Sequence, residues 1–217
     1  MDPRLNIINN RLVNVRKIIA VSGGKGGIGK SITASTLALS LAKHGYRAGL
    51  LDLDFCGPSD HVILGVEGVF PKENQGIIPP EVYGIKLMSI IYYSGSSPAP
   101  LRGSEVSNAI IEMLAITLWE SLDFLIMDLP PGLGDPILDI IRLIEKVEFL
   151  VVTTPSRLAR AVVKKELQVL KELGLPIIGV LENMKLTEQT SVWEGVGKYG
   201  APVLGSVNFD NNLEDSL

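Results

Sequence analysis

The sequence has one cysteine, Cys56, among its 217 residues. A single thiol excludes an internal disulfide and any Cys-rich metal site within the chain, and it fits a reducing, cytoplasmic setting. Histidine is nearly as scarce. His44 and His61 are the only two, so zinc hydrolase and Ser-His-Asp chemistry have little to build on. No basic excess is present either: the formal net charge is −4 and the pI about 5.3. The electrostatic footprint that Lys and Arg give a nucleic-acid binder is missing, and no nucleic-acid partner is expected. Long hydrophobic runs are absent as well. Mean hydropathy is +0.30, yet no run approaches the roughly 20 apolar residues that cross a bilayer. The longest uncharged stretch, residues 87–101, is interrupted by Ser, Gly and Pro. The opening MDPRLNIINNRLVNVRK carries charge without an apolar core or cleavage site, so neither a secretory signal nor an integral membrane segment is expected.

What is present reads as a packed globular protein: 46% hydrophobic and 20% charged residues. The length suits one domain with an appendage, and we expect an N-terminal extension over 1–16 and a single domain over 17–217. Short apolar runs at 17–21, 48–52, 85–90, 124–128, 149–153, 177–181 and 202–206 read as strands buried on both faces. Amphipathic segments alternate with them. Ala34, Leu37, Ala38, Leu41 and Ala42 share a helical face that Gly45 can end, and Val163, Leu167 and Leu170 share another before Gly174 and Pro176. The pattern predicts an α/β fold, a three-layer, doubly wound, mainly parallel sheet with right-handed crossovers. Two stretches interrupt it. Residues 65–84 are rich in Gly and Pro and read as a loop or small hairpin. Residues 93–103 read as a mobile loop ahead of a helix near 104–121.

The most informative segment is VSGGKGGIGKS, residues 21–31. Gly24, four residues, then Gly29-Lys30-Ser31 make a P-loop, placed between an apolar strand and an amphipathic helix as the motif requires. The backbone of Gly24, Lys25, Gly26, Gly27, Ile28, Gly29, Lys30, Ser31 and Ile32 is expected to cradle phosphates, helped by the positive end of the helix. Lys30 is expected to reach the β- and γ-phosphates and Ser31 to ligate Mg²⁺, making ATP and Mg²⁺ the expected ligands. Two strands end in acids. Asp128 stands where a Walker B acid would hold Mg²⁺ through water. Asp52 and Asp54 stand at the other strand end, with Asp52 assigned to metal support and Asp54 to orienting the attacking water. The alternative for each is a capping Asp in a turn. After Asp128, the Pro130-Pro131-Gly132 turn suits a switch whose Gly132 N–H senses the γ-phosphate.

Lys25 is a second lysine inside the loop. With it the loop resembles the deviant P-loop of the MinD, ParA and nitrogenase-iron-protein class. That resemblance implies a homodimer in which Lys25 reaches the partner's nucleotide. SGGKGGIGKS, DLDFCGPS, LRGSE, LDFLIMDLPPGLGD and GVLENM occur in this order. Together, across about 17–210, they resemble the Mrp/ApbC-type ATPases, iron–sulfur cluster carriers related to MinD. The resemblance implies a slow cytoplasmic ATPase acting as a dimeric switch in iron–sulfur or metallocentre assembly, with an apo-protein client. It also implies that Asn183 recognises adenine through its amide, with residues 206–210 closing the other side of the base.

Three departures accompany it. The family usually has Cys-x-x-Cys soon after Glu-Asn-Met, whereas residues 185–190 read KLTEQT. Carriage of a cluster at the usual bridging site is thereby in doubt. Ile32 stands where Thr is usual, losing a hydroxyl but keeping its N–H, and Leu133 replaces the Thr of PPGTGD. The competing reading is a MinD/ParA-like positioning or partner-recruiting ATPase without a cluster. A small-molecule kinase is a third, disfavoured by Lys25.

Overall fold

The computed structural model describes residues 4–55, 57–94, 104–132, 134–186 and 196–213. Cys56, Leu133 and most of the loop expected at 93–103 lie outside them. In chain order the elements are α1 (Arg4–Leu12), β1 (Val15–Ser22), α2 (Lys30–Lys43), β2 (Ala48–Asp52) and α3 (Asp60–Ile63). Then come β3 (Lys72–Glu73), β4 (Ile77–Ile78), β5 (Glu81–Val82), β6 (Ile85–Ser89), α4 (Ile91–Ser94), α5 (Ser104–Ile116) and β7 (Leu122–Asp128). The chain continues with α6 (Asp135–Leu143), β8 (Val147–Thr153), α7 (Arg157–Glu172), β9 (Ile177–Lys185) and β10 (Val203–Asn208).

The main sheet has eight strands in the order β10-β9-β8-β1-β7-β2-β6-β5. All neighbouring pairs run parallel except β5 with β6, which is antiparallel. The doubly wound α/β reading is therefore observed. Its cause is visible residue by residue. Along β1, Ile18 and Ala20 belong to one buried cluster and Ile19 and Val21 to another. Successive side chains of a strand point to opposite faces, and here both faces are covered, so both must be apolar. On one face α2 lies across β7, β2, β1 and β6, bringing Ala34 and Ala38 against the strands. On the other, residues of α1, α5, α6 and α7 complete the larger cluster around Leu125, Met127 and Phe149.

Of the loop or small hairpin expected at 65–84, the structure shows the hairpin: β3 pairs antiparallel with β4, with Gln75 at φ 52° in its turn, and β5 adds a short edge strand. The segment read as an N-terminal extension, 1–16, carries α1 and the first two residues of β1. Ile8 of α1 is fully buried against α5, and Arg11 Nε donates to the Ala115 carbonyl at 3.0 Å.

Candidate functional site

The parallel sheet brings the chemistry to one end. β1 ends at Ser22, β2 at Asp52 and β7 at Asp128, and Asp128 is in register with Val21 on one side and Asp52 on the other. The crevice beyond the carboxyl ends of such strands is where open α/β sheets bind ligands.

From Ser22 the chain turns through the glycine loop into α2. Gly29 holds a left-handed conformation, φ 80° and ψ 33°, as the N-cap of α2. A Cβ there would stand 2.2 Å from Asn183 Nδ2, so both backbone and space demand glycine. Gly24 meets the second wall: its Cβ would lie 2.1 Å from Val162 Cγ1 on α7. The N-terminus of α2 has no side-chain cap and no acid in its first turn. Its unpaired N–H groups and positive dipole end are left for an anion.

Lys30 is buried, with Nζ 4.0 Å from Asp128 Oδ1. The Ser31 hydroxyl donates to Asp128 Oδ2 at 2.5 Å. Lysine, hydroxyl and carboxylate, 97 residues apart in sequence for the last two, thus converge below the loop. Asp128 Oδ1 is buried without a hydrogen-bond partner. An orphaned carboxylate oxygen beside a hydroxyl is a donor set that a hard cation such as Mg²⁺ satisfies, so these residues fit the ion.

Asp52 is fully buried and already engaged: Oδ1 accepts the Asp54 N–H at 3.0 Å and Oδ2 accepts the Ser89 hydroxyl at 3.2 Å. Asp54 is partly exposed, and its Oδ1 accepts the Gly57 N–H at 3.2 Å. Burial pushes the carboxyls of Asp52 and Asp128 above their ordinary range. The Asp128 charge adds to this at Asp52, whereas Lys30 and Ser31 oppose it at Asp128. Gly132 N–H donates to the Gly23 carbonyl at 3.2 Å, which ties the turn after Asp128 to the loop.

Asn183 Nδ2 donates to the Ile28 carbonyl at 3.0 Å, so its amide props the P-loop. Beside it opens a mainly apolar pocket of about 360 Å³, lined among others by Ile32, Thr36, Leu181, Asn183, Leu204 and Val207. Ile32 contributes apolar wall where a hydroxyl was lost, and Val207 comes from the segment expected to close on the base. Lys25 is partly exposed and has no ion pair among the described residues.

Two acids went unread in the sequence. Asp60 is fully buried and lies with Asp52 and Asp128. In sequence it is a third acid, six residues after Asp54, directly after Gly57-Pro58-Ser59. Glu166 on α7 is fully buried beneath the loop. It sits three residues after Val163, on the helix face that spacing already marked as inner.

A ParA-type family model described as the NUBPL iron-transfer P-loop NTPase matches residues 14–214. The chain belongs to this family. The chain is 40% identical over 221 residues to an iron-sulfur cluster carrier protein of Aquifex aeolicus, covering 94% of this chain and 61% of that protein. A carrier protein of the same description from Escherichia coli K12 is 41% identical over 175 residues, 79% of this chain and 47% of the other. The chain thus spans about half to two thirds of the length of these relatives. Among solved structures, a nucleotide-binding protein from Archaeoglobus fulgidus in complex with ADP superposes with TM-score 0.82 at 30% identity, covering 97% of this chain and 89% of that one. MinD of Pyrococcus horikoshii with Mg-ADP shares the fold at TM-score 0.66 and 22% identity, over 92% and 84% of the two chains. Among the described residues no helix is long and apolar enough to cross a membrane.

Proposed function

We propose that this P-loop NTPase binds ATP with Mg²⁺, hydrolyses it slowly, and works as a homodimeric nucleotide switch in iron–sulfur cluster or metallocentre assembly. The observation that carries the reading is the convergence of Lys30, Ser31 and Asp128 beneath an uncapped helix N-terminus. Main-chain N–H groups from Gly24 to Ile32 bind the phosphate oxygens, and Lys30 turns from Asp128 to the β- and γ-phosphates. Magnesium held at Ser31 and Asp128 would neutralise charge developing on the transferred phosphoryl group. Asp52 supports that site from behind by fixing the Asp54 backbone, which leaves the Asp54 carboxylate at the mouth to orient the attacking water. Gly132 exchanges the Gly23 carbonyl for the γ-phosphate, coupling the turn after Asp128 to the nucleotide state. Lys25 acts across the dimer seam on the partner's nucleotide, like an arginine finger. The base enters the apolar pocket beside Asn183, with Val207 opposite.

Replacing Lys30 removes the charge aimed at the phosphates. Lys30→Ala is expected to lower Mg-ATP affinity by roughly 10²-fold or more and to abolish hydrolysis. Titration calorimetry and phosphate release measure the two effects. Turnover that persists unchanged in the variant would remove the P-loop from the mechanism.

The cargo is limited by sulfur. Two copies of these 217 residues hold two cysteines, half the thiolates of an ordinary cluster. A cluster bridging two copies of these residues is therefore short of half its thiolates, which must come from outside residues 1–217. Anaerobic reconstitution with iron and sulfide tests this. The chain alone is expected to retain no stable cluster, and a stoichiometric cluster per dimer would contradict it.

A further inference from the structure

Asp60 opens the short helix α3 and is entirely shielded from solvent. Its Oδ1 accepts the Ser35 hydroxyl at 2.6 Å, while Oδ2 is buried with no hydrogen-bond partner. Asp128 repeats the arrangement: Oδ2 is held by Ser31, and Oδ1 is left without a hydrogen bond. Ser31 and Ser35 stand one turn apart on α2, so a single helix face anchors one oxygen of each carboxylate and fixes both in place. One carboxylate oxygen from each of Asp52, Asp60 and Asp128 lies within 4.8 Å of the other two.

Three buried acids at this spacing repel one another, and Lys30 is a single ammonium beside them. Each orphaned oxygen also forfeits its hydration without compensation. A divalent cation removes both costs at once. Both common sizes of divalent ion are compatible with this spacing. Oxygens on opposite sides of Mg²⁺ are about 4 Å apart, and around a larger ion with bonds of 2.3–2.6 Å they are about 5 Å apart. Three oxygens that all lie within 4.8 Å of one another are close enough to share one ion of either size.

We propose that Asp60 joins Asp52 and Asp128 in a divalent-cation site that is filled in the absence of nucleotide. The inference shares two carboxylates with the proposed nucleotide site but requires no phosphate. Metal binding precedes nucleotide, and the triphosphate meets a site already carrying positive charge. Phosphate-dependent P-loop sites, by contrast, hold Mg²⁺ through one or two carboxylates plus the nucleotide itself.

Mn²⁺ is the probe, because its free aquo ion is counted directly by electron paramagnetic resonance. Nucleotide-free wild-type protein is expected to bind one Mn²⁺ per chain below about 1 mM and to melt at higher temperature with Mn²⁺ than without. Asp60→Asn, which keeps a carbonyl oxygen for Ser35, is expected to weaken that binding at least about tenfold. Lys30→Ala is expected to retain Mn²⁺ while losing ATP. If nucleotide-free wild type leaves both the Mn²⁺ signal and the melting temperature unchanged, the inference is overturned. Equal Mn²⁺ affinity in Asp60→Asn also overturns it and makes Asp60 a protonated structural acid. Wild type that binds Mg-ATP but no Mn²⁺ alone sinks this inference and spares the proposed function. Wild type that binds Mn²⁺ but never ATP does the reverse.

Discussion

Glu166 shows what a single buried residue imposes. It is fully enclosed under the P-loop, and neither carboxylate oxygen completes a hydrogen bond; the Ser22 hydroxyl lies close enough to act on it without good geometry. Burial pushes its carboxyl from 4.5 to about 7, with Ser22 and Lys30 pulling the other way. The folded state therefore holds this proton more tightly than the unfolded chain. Stability from the group is fully present below pH 4.5 and is lost as pH rises to about 7. The shift corresponds to a loss of order 3 kcal/mol. Glu166→Gln should flatten that part of the profile, so that the variant matches wild type near pH 4.5 and exceeds it by about 2–3 kcal/mol near pH 8. Urea denaturation at the two pH values measures the difference, and a variant as pH-sensitive as wild type would contradict the assignment. Lys30 and Ser31 were legible in sequence because a motif with fixed spacing names them, and Asp128 because it ends an apolar strand in an α/β pattern. Asp60 and Glu166 were not, because an acid announces its burial only through the partners the fold brings to it. Asn183 was singled out for the base by resemblance alone, and its hold on the Ile28 carbonyl is visible only in three dimensions.

At the scale of elements, the strands were the readable part. An apolar run as short as 48–52, between turn residues, reads as a strand covered on both faces, and β2 spans those residues. The opening helix was harder. Its sequence RLNIINNRL is polar on average and gives just two buried side chains, Ile8 and Leu12, too few for a periodic signal. Yet Ile8 is 0% exposed within the larger core cluster. Ile8→Ala is expected to cost about 2–4 kcal/mol by the cavity it leaves. A thermal or chemical melt checks this, and a cost near zero would mean that α1 is dispensable to the folded body. The short excursion β3–β4 followed from Gly and Pro density, but its pairing partners did not, since two-residue strands carry no pattern of their own.

For the whole molecule, the strand order sets where chemistry is possible. Placing β7 between β1 and β2 puts the Walker-type acid next to the loop that precedes α2, and no local feature of 122–128 dictates that neighbour. The fold class followed from alternating strands and helices, whereas the order followed from crossovers that sequence alone leaves open. In the proposed homodimer, the partly exposed Lys25 is the group assigned to the partner's nucleotide. All of these assignments depend on the loop from 24 to 31 holding a triphosphate. A crystal structure of the protein with Mg²⁺ and a non-hydrolysable ATP analogue tests that most directly. The account predicts the β- and γ-phosphates against the main-chain N–H groups of the loop, Lys30 moved from Asp128 to the phosphates, and Lys25 from a partner copy at the same nucleotide. A nucleotide bound elsewhere, or a loop with Lys30 still turned to Asp128 and no phosphate in it, would contradict the account.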